Sequence, residues 1–217
     1  MKHTSFIMLT LLTCLPSQVP LQARTDKPNL IVIMADDLGY ADVGFNGCKD
    51  IPTPNIDSIA ANGVKFSSGY VGYSVCGPSR ASFITGRYGQ RFGFERNPQY
   101  RTTDDHMGLP LSEKTLATTL KQVGYHSGII GKWHLGATRT LHPLNRGFDE
   151  FYGHLGGGHA YFADHLTIQD SYAAKNESES YRTWIMKNHE PVEPRKYLTD
   201  DFSDEAVSFV ARNHDKP

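Results

Sequence analysis

The amino-acid sequence predicts an α/β fold with a mostly parallel central sheet and helices on both of its faces. Two observations lead to this prediction. Residues 28–34 form a continuous apolar run rich in β-branched side chains, which is typical of a strand buried on both faces inside a parallel sheet. Segments with strand-like and helix-like patterns then alternate along the chain, as they do in α/β domains.

The next predicted element is a helix over residues 53–63, which carries the residue types that mark both helix ends. Thr53 suits the cap, Pro54 suits the first turn, and Gly63 suits the position after the last turn. Residues 64–70 alternate weakly, which predicts a short strand. Four further elements and a loop follow. They are a helix over 76–85, a helix capped by Ser112 that stops at Gly124, a strand over 125–130, a glycine-rich loop over 153–158, and a helix that begins near Thr199 or Asp200.

The first 23 residues have the order of an export signal. Lys2 and His3 precede an apolar run over 6–15, and Ala23 offers a small residue at a plausible cleavage point. The run is shorter than the roughly 20 residues that span a bilayer, so we predict no stable membrane span. We expect export to the periplasm or the extracellular space, or entry into the secretory and lysosomal route in a eukaryote. A buried N-terminal helix and lipidation of Cys14 are the alternatives.

Residues 24–217 are expected to be the N-terminal part of a larger domain. The last predicted helix is followed only by residues 213–217, whereas an alternating chain is expected to continue with a strand. The formal net charge of -1 lacks the basic excess that nucleic-acid binding requires. We therefore expect an incomplete domain with no nucleic-acid partner.

Two adjacent carboxylates, Asp36 and Asp37, follow directly after the first predicted strand. Ligands of open α/β sheets bind beyond the carboxyl ends of the strands. Adjacent carboxylates repel unless a cation or a proton neutralises them, and oxygen ligands suit calcium or magnesium. The pair is therefore a candidate metal site. The alternative is that one carboxylate caps the next turn while the other faces solvent.

A cysteine and an arginine, Cys76 and Arg80, lie in the first turns of the second predicted helix. Backbone N–H groups at a helix start favour an anion, and the arginine fork suits an oxyanion. Pro78 is easily accommodated in the first turn. The alternative is a buried structural cysteine, the common fate of a free one. The pattern by itself leaves the chemistry of Cys76 open.

Three motifs resemble those of one enzyme family. The segment Cys-Gly-Pro-Ser-Arg over 76–80, continued to Arg87, resembles the signature of the type I sulfatases, in which the cysteine of Cys-X-Pro-X-Arg is oxidised to formylglycine. The segment Gly-Lys-Trp-His-Leu-Gly over 131–136 resembles the second signature, and residues 29–39 resemble the opening strand with the first metal ligands. The likeness runs in the expected order from Lys27 to the end of the chain. It implies the alkaline-phosphatase-like fold of that superfamily.

The resemblance also implies an activity and a role for each matching residue. The activity is hydrolysis of a sulfated carbohydrate or an aryl sulfate by the hydrated aldehyde made from Cys76, after a formylglycine-generating maturation enzyme has acted. Calcium, with magnesium as the less favoured ion, would be held by Asp36, Asp37 and the modified Cys76. The catalytic residues are then Cys76, Arg80, Lys132 and His134, with Lys132 on the sulfate and His134 as a base near its ordinary pKa of about 6.5.

One further candidate and two other functions remain open. His159 follows three glycines and is a candidate substrate contact at the rim of the site, since loops often carry binding residues. The alternative functions are a phosphoester or phosphonate monoester hydrolase of the same superfamily and a non-catalytic binding protein that retains the fold. Members of the family carry further ligands downstream, so the chain alone is expected to be inactive.

Overall fold

The computed structural model describes residues 27–217, and the predicted signal peptide over 1–23 lies outside the described residues. Among the described helices, none has the length and apolar character that crossing a membrane requires. The described part contains five α-helices and four strands. The helices are α1 Pro54–Asn62, α2 Cys76–Thr85, α3 Leu116–Lys121, α4 Glu177–Ser180 and α5 Leu198–Arg212, and the strands are β1 Gly128–Lys132, β2 Glu150–His154, β3 Ile185–Lys187 and β4 Glu190–Val192.

The four strands form one sheet in the order β1-β2-β3-β4. β1 and β2 are parallel, with Lys132 opposite His154, whereas β2–β3 and β3–β4 are antiparallel. The described sheet is therefore mixed, although the sequence predicts a mostly parallel one. The reason is the connection between β3 and β4, which is too short for a parallel crossover and forms a hairpin instead. Asn188 makes the turn with a φ of 57°.

Helices cover both faces of the sheet, and this confirms the predicted α/β class. On one face, Ala81 and Ile84 of α2 belong to the same apolar cluster as Phe151 and Met186. On the other face, Leu198 of α5 forms a second apolar cluster with Tyr152 of β2 and Ile185 of β3. Phe202 of α5 packs against this cluster. Successive strand side chains point to opposite faces, so this alternation supplies both helices with apolar surface.

The predicted strand over 28–34 is wrong for the described structure. Its backbone is extended, but the segment forms no ladder, and its side chains are exposed, up to 80% at Ile33. Its two ends are fixed beside β1: the hydroxyl of Tyr125 donates to the carbonyl of Pro28 over 2.9 Å, and Asp36 meets Lys132. The predicted strand over 64–70 is also absent among the described residues. An extended segment becomes a strand only where another backbone completes its hydrogen bonds, and the apolar pattern does not report that partner.

Two predicted helix caps are also corrected by the structure. The helix predicted to begin at Ser112 is capped by Thr115, whose hydroxyl accepts from the Thr118 N–H and donates to a carbonyl over 2.5 Å. The Thr53 hydroxyl makes no capping bond to α1, because it accepts from the Gly44 N–H over 2.8 Å and donates to Asp57. Each hydroxyl also bonds to a residue outside its own helix, Gly44 or Arg146, which a local sequence pattern does not reveal.

Candidate active site

Two cations converge on the carboxylate of Asp36. Nζ of Lys132 lies 2.8 Å from Oδ2 of Asp36, and Nη2 of Arg80 lies 3.4 Å from the same oxygen. Nη1 of Arg80 also donates to the Lys132 carbonyl over 2.7 Å, so α2 is attached to the end of β1. Burial acts to raise the pKa of Asp36, but the hydrogen bond and charge of Lys132, with the charge of Arg80, outweigh it and lower that pKa. Asp36 is thus held ionised beside two positive charges.

Asp36, Asp37 and Cys76 together could hold one divalent cation. One carboxylate oxygen of each aspartate and Sγ of Cys76 all lie within 4.8 Å of one another. Calcium takes oxygen ligands at about 2.3–2.6 Å, so ligands on opposite sides of one ion are about 5 Å apart. The donor atoms therefore fit a single ion in spacing. They fit calcium in chemistry once an oxygen replaces the sulfur, because calcium prefers hard oxygen ligands.

The first turn of α2, which contains Cys76, packs against Asn97 and Pro98 in the chain beyond the helix. Cys76 is the first residue of α2 and carries a half-buried free thiol. The N–H of Gly77 donates to Oδ1 of Asn97 over 2.7 Å. A Cβ at Gly77 would lie 2.9 Å from Pro98, so this position tolerates only glycine without a shift of the neighbouring chain. The first turn of the helix is therefore fixed from outside the helix.

His134 lies on a continuation of the parallel ladder beyond β1. The N–H of Trp133 donates to the His154 carbonyl over 3.0 Å, and the N–H of His134 donates to the Leu155 carbonyl over 3.1 Å. The backbone of His134 is left-handed, with a φ of 56°, and the residue is 5% exposed. Burial, followed by the charges of Lys132 and Arg80, lowers the pKa of His134 to about 4. The imidazole is therefore neutral near pH 7 and free to accept a proton, with a pKa below the ordinary value expected from the sequence.

The structure does not bring His159 to a rim. His159 is buried, its Nδ1 lies 2.8 Å from the Ala160 carbonyl, and its Nε2 lies 3.3 Å from Oγ1 of Thr183. Both ring nitrogens thus have protein partners, which leaves neither of them for a substrate. The rim location is wrong, and we leave His159 out of the proposed site.

Two residues near the site have no motif in the sequence. His154 pairs with Lys132 across the ladder, and its ring packs 5.0 Å from that of His159. Burial, followed by the charge of His159, lowers the pKa of His154 well below its ordinary value. Glu177 approaches from α4 and accepts hydrogen bonds from the N–H groups of Gly157 and Tyr100. Only the register of an assembled sheet could have pointed to His154, and no local signal points to Glu177.

Comparison with known proteins identifies the family of this chain. The Sulfatase family matches residues 28–217. Human arylsulfatase G is 46% identical over 132 residues, which cover 61% of this chain and 25% of that protein. A crystal structure of Ps i-CgsB in complex with k-i-k-neocarrahexaose is 46% identical with a TM-score of 0.77, covering 86% of this chain and 42% of that one. The structure of BT4656 in complex with its substrate, D-glucosamine-2-N,6-O-disulfate, is 28% identical with a TM-score of 0.65, covering 88% and 33%.

The chain thus spans about a quarter of the length of arylsulfatase G and less than half of the two solved structures. Within that span, the family match includes the Asp36 carboxylate, the Cys76 helix start and the residues from Lys132 to His134. The chain belongs to the sulfatase family.

Proposed function

We propose that this chain supplies the nucleophile, part of the metal site and the general base of a secreted hydrolase of sulfate esters. The observation that carries this proposal is the 4.8 Å grouping of Cys76 with Asp36 and Asp37. Lys132 and Arg80 meet Asp36 at the same place, so a reacting oxygen at position 76 lies where cations favour anionic charge. A non-catalytic binding protein has no need of this combination.

The nucleophile requires a chemical change at Cys76. Conversion of its CH2SH group to an aldehyde is a two-electron oxidation in which sulfide leaves and an oxygen atom enters. A formylglycine-generating maturation enzyme is the proposed partner that brings the oxidant. The aldehyde then adds water and becomes a diol with two hydroxyl groups on one carbon.

The diol cleaves the ester in two stages. One hydroxyl oxygen attacks sulfur, the bond between sulfur and the alcohol oxygen breaks, and the alcohol leaves with a proton. Residue 76 then carries the sulfate as a covalent intermediate. His134 removes the proton from the second hydroxyl, the aldehyde re-forms, and the bond from its carbon to the sulfate oxygen breaks. A serine has no second hydroxyl and could not complete this release.

Each charged side chain has a role in this scheme. Asp36, Asp37 and residue 76 would hold calcium, which when bound supplies positive charge that favours loss of a proton from a neighbouring hydroxyl. Lys132 stabilises the charge that develops on the sulfate during transfer. Arg80 orients the diol oxygen and balances the negative charge around Asp36.

The substrate that we propose is a sulfated carbohydrate. Two related structures support this class, one with a neocarrahexaose and one with a disulfated glucosamine. Export through the signal over residues 1–23 agrees with a substrate met outside the cytoplasm. The complete enzyme, meaning this chain continued to the length of its relatives, is proposed to be active, and residues 24–217 alone are proposed to be inactive.

Mass analysis of the complete enzyme tests the proposal. We expect the peptide that contains position 76 to carry an aldehyde, and we expect turnover of a sulfate ester to exceed that of the phosphate ester of the same alcohol. His134→Ala is expected to trap sulfate on residue 76, whereas His165→Ala, at an exposed histidine, is expected to leave release unchanged. Full activity with an intact thiol at position 76 would contradict the mechanism.

A further inference from the structure

The ring of His134 packs against the backbone of Gly157. A Cβ at Gly157 would lie 2.8 Å from both Cε1 and Nε2 of His134, which is closer than real carbon atoms approach. The bare backbone of Gly157 therefore lies in contact with one edge of the ring. A small cavity lined by His134, Tyr100, Gly156 and Glu177 adjoins this contact. Because the ring packs directly on this backbone, its orientation depends on where Gly157 is held.

Glu177 holds Gly157 by a direct hydrogen bond. Its Oε1 accepts from the Gly157 N–H over 3.2 Å, and its Oε2 accepts from the Tyr100 N–H over 3.1 Å. One carboxylate thus joins two segments that are 57 residues apart in the chain. Hydrogen bonds to a charged acceptor are stronger than neutral ones, and they fix the backbone of both segments. The same would-be Cβ of Gly157 lies 3.0 Å from Oε1, so Glu177 and His134 flank this glycine.

The segment that contains Tyr100 also contacts the nucleophile end of the site. Asn97 accepts the N–H of Gly77, the residue directly after Cys76. Tyr100 is buried, and its hydroxyl donates to the Ser171 carbonyl over 2.9 Å, which anchors the other end of the segment. The short segment 97–100 therefore connects the start of α2 with Glu177. Through Glu177 it reaches the glycine that backs His134.

We propose that Glu177 is a positioning residue of the reaction, which holds the base His134 at a fixed orientation to residue 76 through Gly157 and the segment 97–100. The proposal rests on the proposed function, because it assigns to His134 the deprotonation of the diol. Glu177 touches neither substrate nor reacting atoms in this scheme. Its contribution is the geometry of the second stage, in which a small misplacement of the base slows sulfate release.

The test is Glu177→Gln in the complete enzyme, with Glu179→Gln as the matched control. Glutamine keeps the size of the side chain but offers only one acceptor oxygen, so one of the two N–H groups loses its partner. Glu179 is on the same short helix, but its carboxylate contacts only the nearby Lys175 and Asn176 in the described structure. We expect kcat of Glu177→Gln to fall about tenfold with KM within about twofold. Sulfate should accumulate on residue 76, and Glu179→Gln should match the wild type.

Gly157→Ala is the second variant, and it keeps the carboxylate intact. The added methyl group would press on the His134 ring, so kcat should fall while KM stays. Gly69→Ala is its control, because a Cβ there meets only an ordinary contact of 3.6 Å. If Glu177→Gln does not fold, Gly157→Ala still tests whether the orientation of the ring limits the rate.

A spectroscopic measurement separates the two proposals. The ring signals of His134, observed by NMR in metal-free enzyme labelled with 15N at histidine and assigned with His134→Ala, should shift or broaden in Glu177→Gln but not in the control Glu179→Gln. An inactive wild type would refute the proposed function, and the ring signals would still decide the role of Glu177. Unchanged ring signals, or kcat equal to that of Glu179→Gln, would overturn the proposal.

Discussion

Lys132 contacts Asp36 at 2.8 Å, although 96 residues separate the two in the chain. Lys132 is the last residue of β1, and Asp36 follows the extended segment that runs beside that strand. The contact therefore brings the Asp36 carboxylate close to the residues that follow β1. It also leaves the ammonium group of Lys132 at the place where the sulfate is proposed to react.

Replacing Lys132 tests this role. Lys132→Met keeps most of the side-chain volume and removes the charge, so kcat/KM for a sulfate ester in the complete enzyme should fall by about 100-fold or more. Lys121→Met is the control, because Lys121 pairs with Asp149 on the surface, away from Asp36. Equal losses for the two variants would contradict a contact between Lys132 and the sulfate.

Glu150 is predicted to make the chain sensitive to acid. Burial acts to raise its pKa, but hydrogen bonds from Arg212, His126 and Asn213 outweigh it and lower the pKa to about 2. A pKa lowered by folding stabilises the fold above the unfolded value of about 4.5, and this stability is lost as the pH falls toward 2. Glu150→Gln should therefore destabilise the chain by about 1–2 kcal/mol at pH 7.

Denaturant unfolding of the chain at pH 7 and at several pH values between 5 and 2 measures this effect. The variant should lose less stability than the wild type over the acid range, so the two curves should converge. Glu193→Gln, at an exposed glutamate, should follow the wild type at every pH. Parallel curves for Glu150→Gln and the wild type would refute the linkage.

The hydroxyl of Tyr152 should stabilise the fold more than that of Tyr100. Tyr152 donates to the carboxylate of Asp201, which is fully buried, whereas Tyr100 donates to a neutral backbone carbonyl. Removing a partner from a buried charged group costs more than removing one from a neutral group. We expect Tyr152→Phe to cost about 2–3 kcal/mol and Tyr100→Phe about 1 kcal/mol, measured by denaturant unfolding. The reverse order would contradict the greater stabilisation assigned to the bond between Tyr152 and Asp201.

The exposed segment 28–34 should promote self-association of the chain. Ile31 and Ile33 are 73% and 80% exposed beside other exposed apolar residues, and such patches with free backbone groups favour aggregation. Ile31→Lys with Ile33→Lys should raise the monomer fraction in sedimentation velocity without lowering the unfolding midpoint. Val207→Lys, at an apolar residue of α5 that is 70% exposed, should change the monomer fraction less. In the complete enzyme, where we expect this segment to be a buried strand, the double change should prevent folding.

Local patterns in the sequence predicted two of the helices closely, but β2, β3, β4 and α4 had no predicted counterpart. The helix from Cys76 to Thr85 and the helix after Thr53 begin and end within one residue of the predicted bounds, because proline and glycine restrict the backbone wherever they occur. The motifs also named the residues that meet at Asp36. The residues within each motif, and those that mark each helix end, lie close together in the sequence. They can therefore be recognised without knowledge of the tertiary fold.

Contacts between distant segments could not be predicted in this way. The segment 28–34 has the composition of a buried strand, but its hydrogen bonds depend on a neighbour that the pattern does not specify. The environment of His134 depends on Lys132, Arg80 and burial together, so its pKa differs from the value expected for an isolated histidine. Glu177 contacts the site through the backbone N–H groups of Gly157 and Tyr100. Nearly every residue has such an N–H group, so the residue types at these positions do not indicate the contact.

The hydrogen bonds of Trp133 and His134 to the end of β2 and the residue after it have a consequence for selectivity. They fix the backbone of the proposed base to the sheet, so this backbone does not adapt to the shape of one ester or another. We therefore expect any discrimination among the proposed sulfated substrates to come from segments outside this ladder.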